Sequence, residues 1–124
     1  MNMILLVGLN HKTAPLAVRE RLFDGCRDRM DLPGDLLAID GVREVLYLAT
    51  CNRVELVAAV DEDSKALDGL KHYLARQGDL TPEEAEACLY AYQNEEAIRH
   101  LFRVTSSLDS LVMGEAQILG QVKD

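Results

Sequence analysis

The apolar positions of this chain fall in short runs separated by polar turns, and their period changes along the sequence. Residues 3–9 are almost continuously apolar and bounded by Asn10 and Pro15, which predicts a buried strand. A short helix is expected from Pro15 to Phe23, with proline in its first turn and Asp24-Gly25 breaking it, and a second helical piece from Pro33 to Ile39. Residues 43–50 and 54–60 are β-rich and separated by Cys51-Asn52-Arg53, the pattern of a hairpin with the cysteine at or beside its turn. A helix over 64–77 carries the stripe Ala66, Leu67, Leu70, Tyr73 and Leu74 and ends at Gly78. Thr81-Pro82-Glu83-Glu84 reads as a capping box opening another short helix. Residues 88–93 form an expected strand. Asn94 can cap a helix with the stripe Ile98, Leu101, Phe102, Thr105 and Leu108, and a last helix is expected from Glu115.

The order strand, helix, strand, strand, helix, strand is that of a ferredoxin-like α+β domain, a split β-α-β sheet with helices on one face, here followed by a helical segment. Residues 1–93 are read as the α+β core and 94–124 as the helical segment that completes a site. The helical pattern at the last residues predicts a piece cut from a longer chain.

Composition narrows the function classes. With 48% hydrophobic and 27% charged residues over 124 positions, one globular domain is expected, and no apolar run is long enough to span a membrane as a helix. Cys26, Cys51 and Cys88 form no C-x-x-C pair, and His11, His72 and His100 are scattered, so neither a disulfide framework nor a metal centre is expected, and the compartment reads as the reducing cytoplasm. The net charge of −8 lies mostly in the second half. A broad basic face for nucleic acid is therefore disfavoured, and such a partner would be held elsewhere or only at its tip.

Cys51 is the leading candidate for chemistry. A lone cysteine is commonly a small buried hydrophobe. This one sits between two strands beside Arg53, a permanent cation that favours the thiolate, the nucleophilic form. Arg53 and Glu55 share one side of their strand, either as a salt bridge on a wet face or with Arg53 free to grip a carboxylate. His100 falls off the centre of its helix's expected apolar stripe, as a solvated flank residue or, if the hairpin turn meets it, a base. Gly8 to Pro15 lacks the spacing of a phosphate loop, and no G-x-G-x-x-G occurs. The Ser106–Gln121 stretch reads as a helix-to-helix connection capped by Asp109 or Ser110.

Three stretches together, Gly8-Leu9-Asn10-His11-Lys12-Thr13-Ala14-Pro15, Thr50-Cys51-Asn52-Arg53-Val54-Glu55 and Leu108 through Lys123, closely resemble glutamyl-tRNA reductase in order and spacing. The resemblance spans the chain and implies a ferredoxin-like catalytic domain in which Cys51 attacks the ester of glutamyl-tRNA to give a glutamyl thioester. NADPH, bound by a domain absent from this chain, then reduces it to glutamate-1-semialdehyde for tetrapyrrole synthesis. By the same resemblance Thr50, Asn52 and Arg53 surround the glutamyl group, and Ser110, Glu115, Ala116, Gln117 and Gln121 complete the pocket. His100 matches a position important for activity.

The family further implies a homodimer through a missing C-terminal domain and glutamate-1-semialdehyde aminotransferase as a partner, with no membrane involved. This chain alone is expected to acylate but not to reduce. Ala116 stands where the family usually has proline, and Ala49 where serine is common. Two other classes compete. One is a regulatory or ligand-binding module with an inert thiol; the other is a free-standing cysteine hydrolase that turns over small activated esters.

Overall fold

A computed structural model describes the backbone of residues 2–27, 31–50, 52–111 and 117–121, and side chains within these as far as Ser106. The strands are β1 (Asn2–Asn10), β2 (Val42–Thr50), β3 (Arg53–Asp61), β4 (Tyr90–Gln93) and β5 (Gln117–Gln121). The helices are α1 (Leu16–Cys26), α2 (Leu32–Leu37), α3 (Ala66–Gln77), α4 (Pro82–Cys88) and α5 (Asn94–Leu111). The sheet runs β4-β1-β3-β2-β5 with every neighbouring pair antiparallel. Its first four strands have the ferredoxin-like order expected from the sequence.

Strand alternation divides the sheet into two unlike faces. Leu5, Val7 and Leu9 of β1, Val54, Leu56, Ala58 and Val60 of β3, and Val45, Tyr47 and Ala49 of β2 point into one core. Val18 and Leu22 of α1, Leu32 and Leu36 of α2, and Leu70 and Leu74 of α3 close that core. The opposite face carries Leu6, Gly8 and Asn10 of β1 with their register partners Val57, Glu55 and Arg53. Against it, over β1 and β4, packs α5.

Four local expectations are corrected. Helix α1 does not break at Asp24-Gly25 but continues to Cys26. A Cβ on Gly25 would stand 2.0 Å from the Gln77 carbonyl oxygen, so this glycine lets two helices touch backbone to backbone. Asn94 has φ +52° and does not cap with its side chain; its Oδ1 accepts from the Ile4 N–H at 3.0 Å, tying the start of α5 to β1.

The buried face of α5 is also turned from the expected stripe. Ala97, His100 and Val104 are buried, whereas Ile98 and Phe102 are 44% and 68% exposed. Turned this way, α5 gives the buried Glu55 a further hydrogen-bond partner in His100, with Ala97 and Val104 on the same buried face. Finally, residues 117–121 are not helical: they pair with β2, from Val45↔Gln121 to Ala49↔Gln117. The long unpaired edge of β2 offers ladder partners that outweigh a weak helical pattern.

Candidate active site

Glu55 organises the site. It lies on β3, 3% exposed, on the face that α5 covers. Its register partner Gly8 is flanked on the other side by Tyr90 of β4. A Cβ on Gly8 would sit 2.4 Å from the Val54 carbonyl oxygen and 2.7 Å from Glu55 Cγ. The bare backbone of Gly8 thus leaves a channel through which the Glu55 side chain crosses β1 toward β4.

Three donors meet the carboxylate there. Arg53 Nη1 approaches Oε1 at 3.2 Å. His100 Nε2 lies 2.5 Å from Oε2. The Tyr90 hydroxyl donates to the same Oε2 and accepts from Asn10 Nδ2 at 3.3 Å. Burial first, then the neighbouring Glu55 charge and its hydrogen bond, push the Tyr90 phenol well above its ordinary value, so it is a fixed donor. An ionised carboxylate can only accept, so this contact pairs it with the His100 tautomer that carries a proton on Nε2. The Tyr90, Tyr92 and His100 rings pack together, with centroids 4.8 Å apart for Tyr92 and His100 and 5.4 Å for Tyr90 and His100.

This cluster lies at one end of the sheet, beside the hairpin turn. Thr50 and Arg53 are register partners. The Thr50 hydroxyl oxygen accepts from the Asn52 and Arg53 N–H groups, each at 3.1 Å, which closes the turn locally. A cleft of about 470 Å³ opens next to it, lined among others by Lys12, Thr13, Arg53, Tyr92, His100 and Arg103.

The residues expected from the sequence are distributed as follows. Arg53 and His100 meet through Glu55, and the Arg53–Glu55 pair is largely buried, with Arg53 at the wall of the cleft, and is not a bridge on a wet sheet face. His100 is buried at 9% exposure and is not a solvated flank residue. Thr50 is buried in the turn and Asn52 is exposed. Ser110 lies in α5, and Gln117 and Gln121 lie in β5, with Gln117 opposite Ala49. Cys51, Glu115 and Ala116 lie outside the described residues.

Sequence reading missed Asn10, Tyr90 and Tyr92, which reach the site through the β4-β1-β3 neighbourhood, and Arg103, which reaches it on α5. Glu55 was noticed only as a neighbour of Arg53. An acid in an otherwise apolar stretch of strand was the available signal.

Among the described residues no cluster of His, Cys, Asp and Glu could hold a metal, and no helix is long and apolar enough to cross a membrane. The described residues do not fit a dinucleotide: the sequence has no glycine-rich fingerprint, and the antiparallel sheet lacks the crevice at parallel strand ends that such cofactors use.

Comparison with known proteins shows the family and the fold. Residues 7–124 match the family model described as Glutamyl-tRNAGlu reductase, N-terminal domain. A glutamyl-tRNA reductase of Syntrophus aciditrophicus is 57% identical over 124 residues, covering 98% of this chain and 29% of that protein. One from Pelobacter propionicus is 45% identical over 121 residues, covering 97% and 28%. The solved glutamyl-tRNA reductase from Methanopyrus kandleri superposes with a TM-score of 0.58 at 28% identity, over 90% of this chain and 24% of that one. The chain therefore spans less than a third of the length of these relatives.

Proposed function

Because the chain belongs to the N-terminal domain family of glutamyl-tRNA reductase, we propose that it carries the acyl-transfer half of that reaction, with Cys51 as nucleophile. The observation that supports this most is the buried Glu55 joining Arg53 to His100 beside the hairpin turn in whose sequence Cys51 stands. The Cys51 thiolate attacks the ester carbonyl of glutamyl-tRNA. A carbon–sulfur bond forms, the bond to the terminal ribose oxygen breaks, and that oxygen takes up a proton. Arg53 bridges Glu55 through Nη1 and keeps further N–H donors for the glutamyl carboxylate. His100, held by Glu55 through Nε2, takes the thiol proton on Nδ1 and returns it to the leaving oxygen. Glu55 and Tyr90 are positioning residues. Asn52, Thr50, Ser110, Glu115, Ala116, Gln117 and Gln121 complete the glutamyl pocket in this reading.

Reduction of the thioester to glutamate-1-semialdehyde with NADPH, for tetrapyrrole synthesis in the cytoplasm, belongs to the part of the full-length relatives outside this chain. Homodimerisation and contact with the aminotransferase that consumes the product belong there too. An intact-mass spectrum after incubation with glutamyl-tRNA tests the reading. One glutamyl adduct is expected on the wild type and none on Cys51→Ala. An unmodified wild type whose thiol is also slow toward iodoacetamide would leave the inert binding module as the better account.

A further inference from the structure

The cleft beside the turn gathers cations against the charge of the molecule. The chain holds 21 acidic residues against 13 Lys and Arg, yet Lys12, Arg53 and Arg103 line this one cleft without an aspartate or glutamate among the lining residues. Arg53 is occupied by Glu55. Lys12 and Arg103 are exposed, and among the described residues neither is ion-paired.

Both are presented from well-held backbone. The Asn10 carbonyl oxygen accepts from the Thr13 and Ala14 N–H groups at 3.0 Å. Asn10 Oδ1 accepts from Lys12 N–H at 2.8 Å, and Asn10 N–H donates to Thr13 Oγ1 at 3.0 Å. These bonds fix the turn that carries Lys12. Arg103 lies about one turn beyond His100 on α5, with the buried Val104 as its neighbour, and both Arg103 and His100 line the cleft. Lys12 and Arg103 line the same cleft with no acid among its lining residues, Glu96 lining only the smaller neighbouring pocket that Arg103 shares. An anion held between two such cations offsets their mutual repulsion.

We propose that Lys12 and Arg103 form a phosphate subsite that grips the sugar–phosphate backbone of a single-stranded RNA end, adjoining the Arg53–Glu55–His100 cluster. The inference rests on the acyl-transfer reading for the choice of RNA over other phosphates, and it explains how so acidic a chain engages a polyanion: by its tip only. Guanidinium and ammonium groups neutralise backbone phosphates without reading bases, so binding is salt-dependent and largely indifferent to sequence away from the reacting end.

Fluorescence anisotropy of a labelled single-stranded RNA oligonucleotide ending in CCA, titrated with this chain at several salt concentrations, tests the subsite without requiring acylation. Lys12→Gln and Arg103→Gln are each expected to weaken binding about fivefold and to flatten the slope of log affinity against log salt by about 0.7. Lys71→Gln on α3 is expected to change neither, and thermal melts of all three should match the wild type. The subsite is overturned if the wild type shows no salt-dependent binding, if Lys71→Gln weakens it equally, or if ADP binds as tightly as the oligonucleotide. RNA binding that depends on Lys12 and Arg103, together with no adduct at Cys51 and a thiol slow toward iodoacetamide, would sink the acyl-transfer reading and leave the subsite standing.

Discussion

Glycine at position 8 and glutamate at position 55 behave as one unit, since the carboxylate reaches Tyr90 only across the missing side chain of Gly8. Gly8→Ala forces a methyl group into the Val54 carbonyl and Glu55 Cγ. It should destabilise the chain by about 1–3 kcal/mol and slow adduct formation at Cys51, read by urea unfolding and mass spectrometry on one preparation. Glu55→Ala goes further, because it strands Arg53 and His100 at low exposure; a loss of about 3 kcal/mol is expected. Tyr90 sets an alkaline limit. Its phenol is raised above the ordinary 10.0 in the folded chain, so folded protein holds that proton more tightly than unfolded protein does. The resulting stability is complete below pH about 10 and is lost as pH rises from there toward the folded value. Urea midpoints measured from pH 9 upward should therefore fall more steeply for the wild type than for Tyr90→Phe. None of this coupling was legible in the sequence, where Gly8, Glu55, Tyr90 and His100 are far apart and no periodicity links them.

Elements were easiest to read where local chemistry decides them. The capping box is present in full: the Thr81 hydroxyl accepts from Glu84 N–H at 3.1 Å and Glu84 Oε1 accepts from Thr81 N–H at 3.0 Å. That second bond, with Arg21 reaching Glu84 at 2.7 Å, holds the Glu84 carboxyl below its usual range. Thr81→Ala should cost about 1 kcal/mol, seen as a lower thermal midpoint with native circular dichroism retained. The strands of the hairpin were legible for the same reason, as alternating or continuous apolar runs flanking a short polar break. Where tertiary contact decides, sequence reading slipped. Gly25 looks like a helix breaker but serves close packing of α1 on α3. Gly25→Ala should accordingly destabilise, against the gain of up to about 1 kcal/mol that the same change gives in an unobstructed helix; denaturant titration decides the sign. The α5 stripe was read about one position out because apolar content was weighed without the buried acid beneath it. Gln117–Gln121 was read as helix because only the open edge of β2 makes it a strand.

At the scale of the molecule, the split β-α-β order carried through to the sheet, since strand order and helix placement follow from sequential elements and right-handed crossovers. Charge was legible as a sum but not as a distribution: a chain with net charge −8 places three basic side chains around one cleft. The same topology has a consequence for the order in which the protein comes into being. Asn10, Glu55, Tyr90 and His100 arrive from four separate segments, and β4 must insert beside β1 at a separation of more than eighty residues before they meet. During synthesis the first strand, the hairpin and α3 can assemble a core while Glu55 has only Arg53 for company. Its cluster closes in one late event, when β4 and α5 dock on the finished edge of β1. A ribosome-bound chain truncated before β4 should therefore hold a nascent sheet and an open Glu55, which makes the closing of its cluster a clock for the last long-range step of folding.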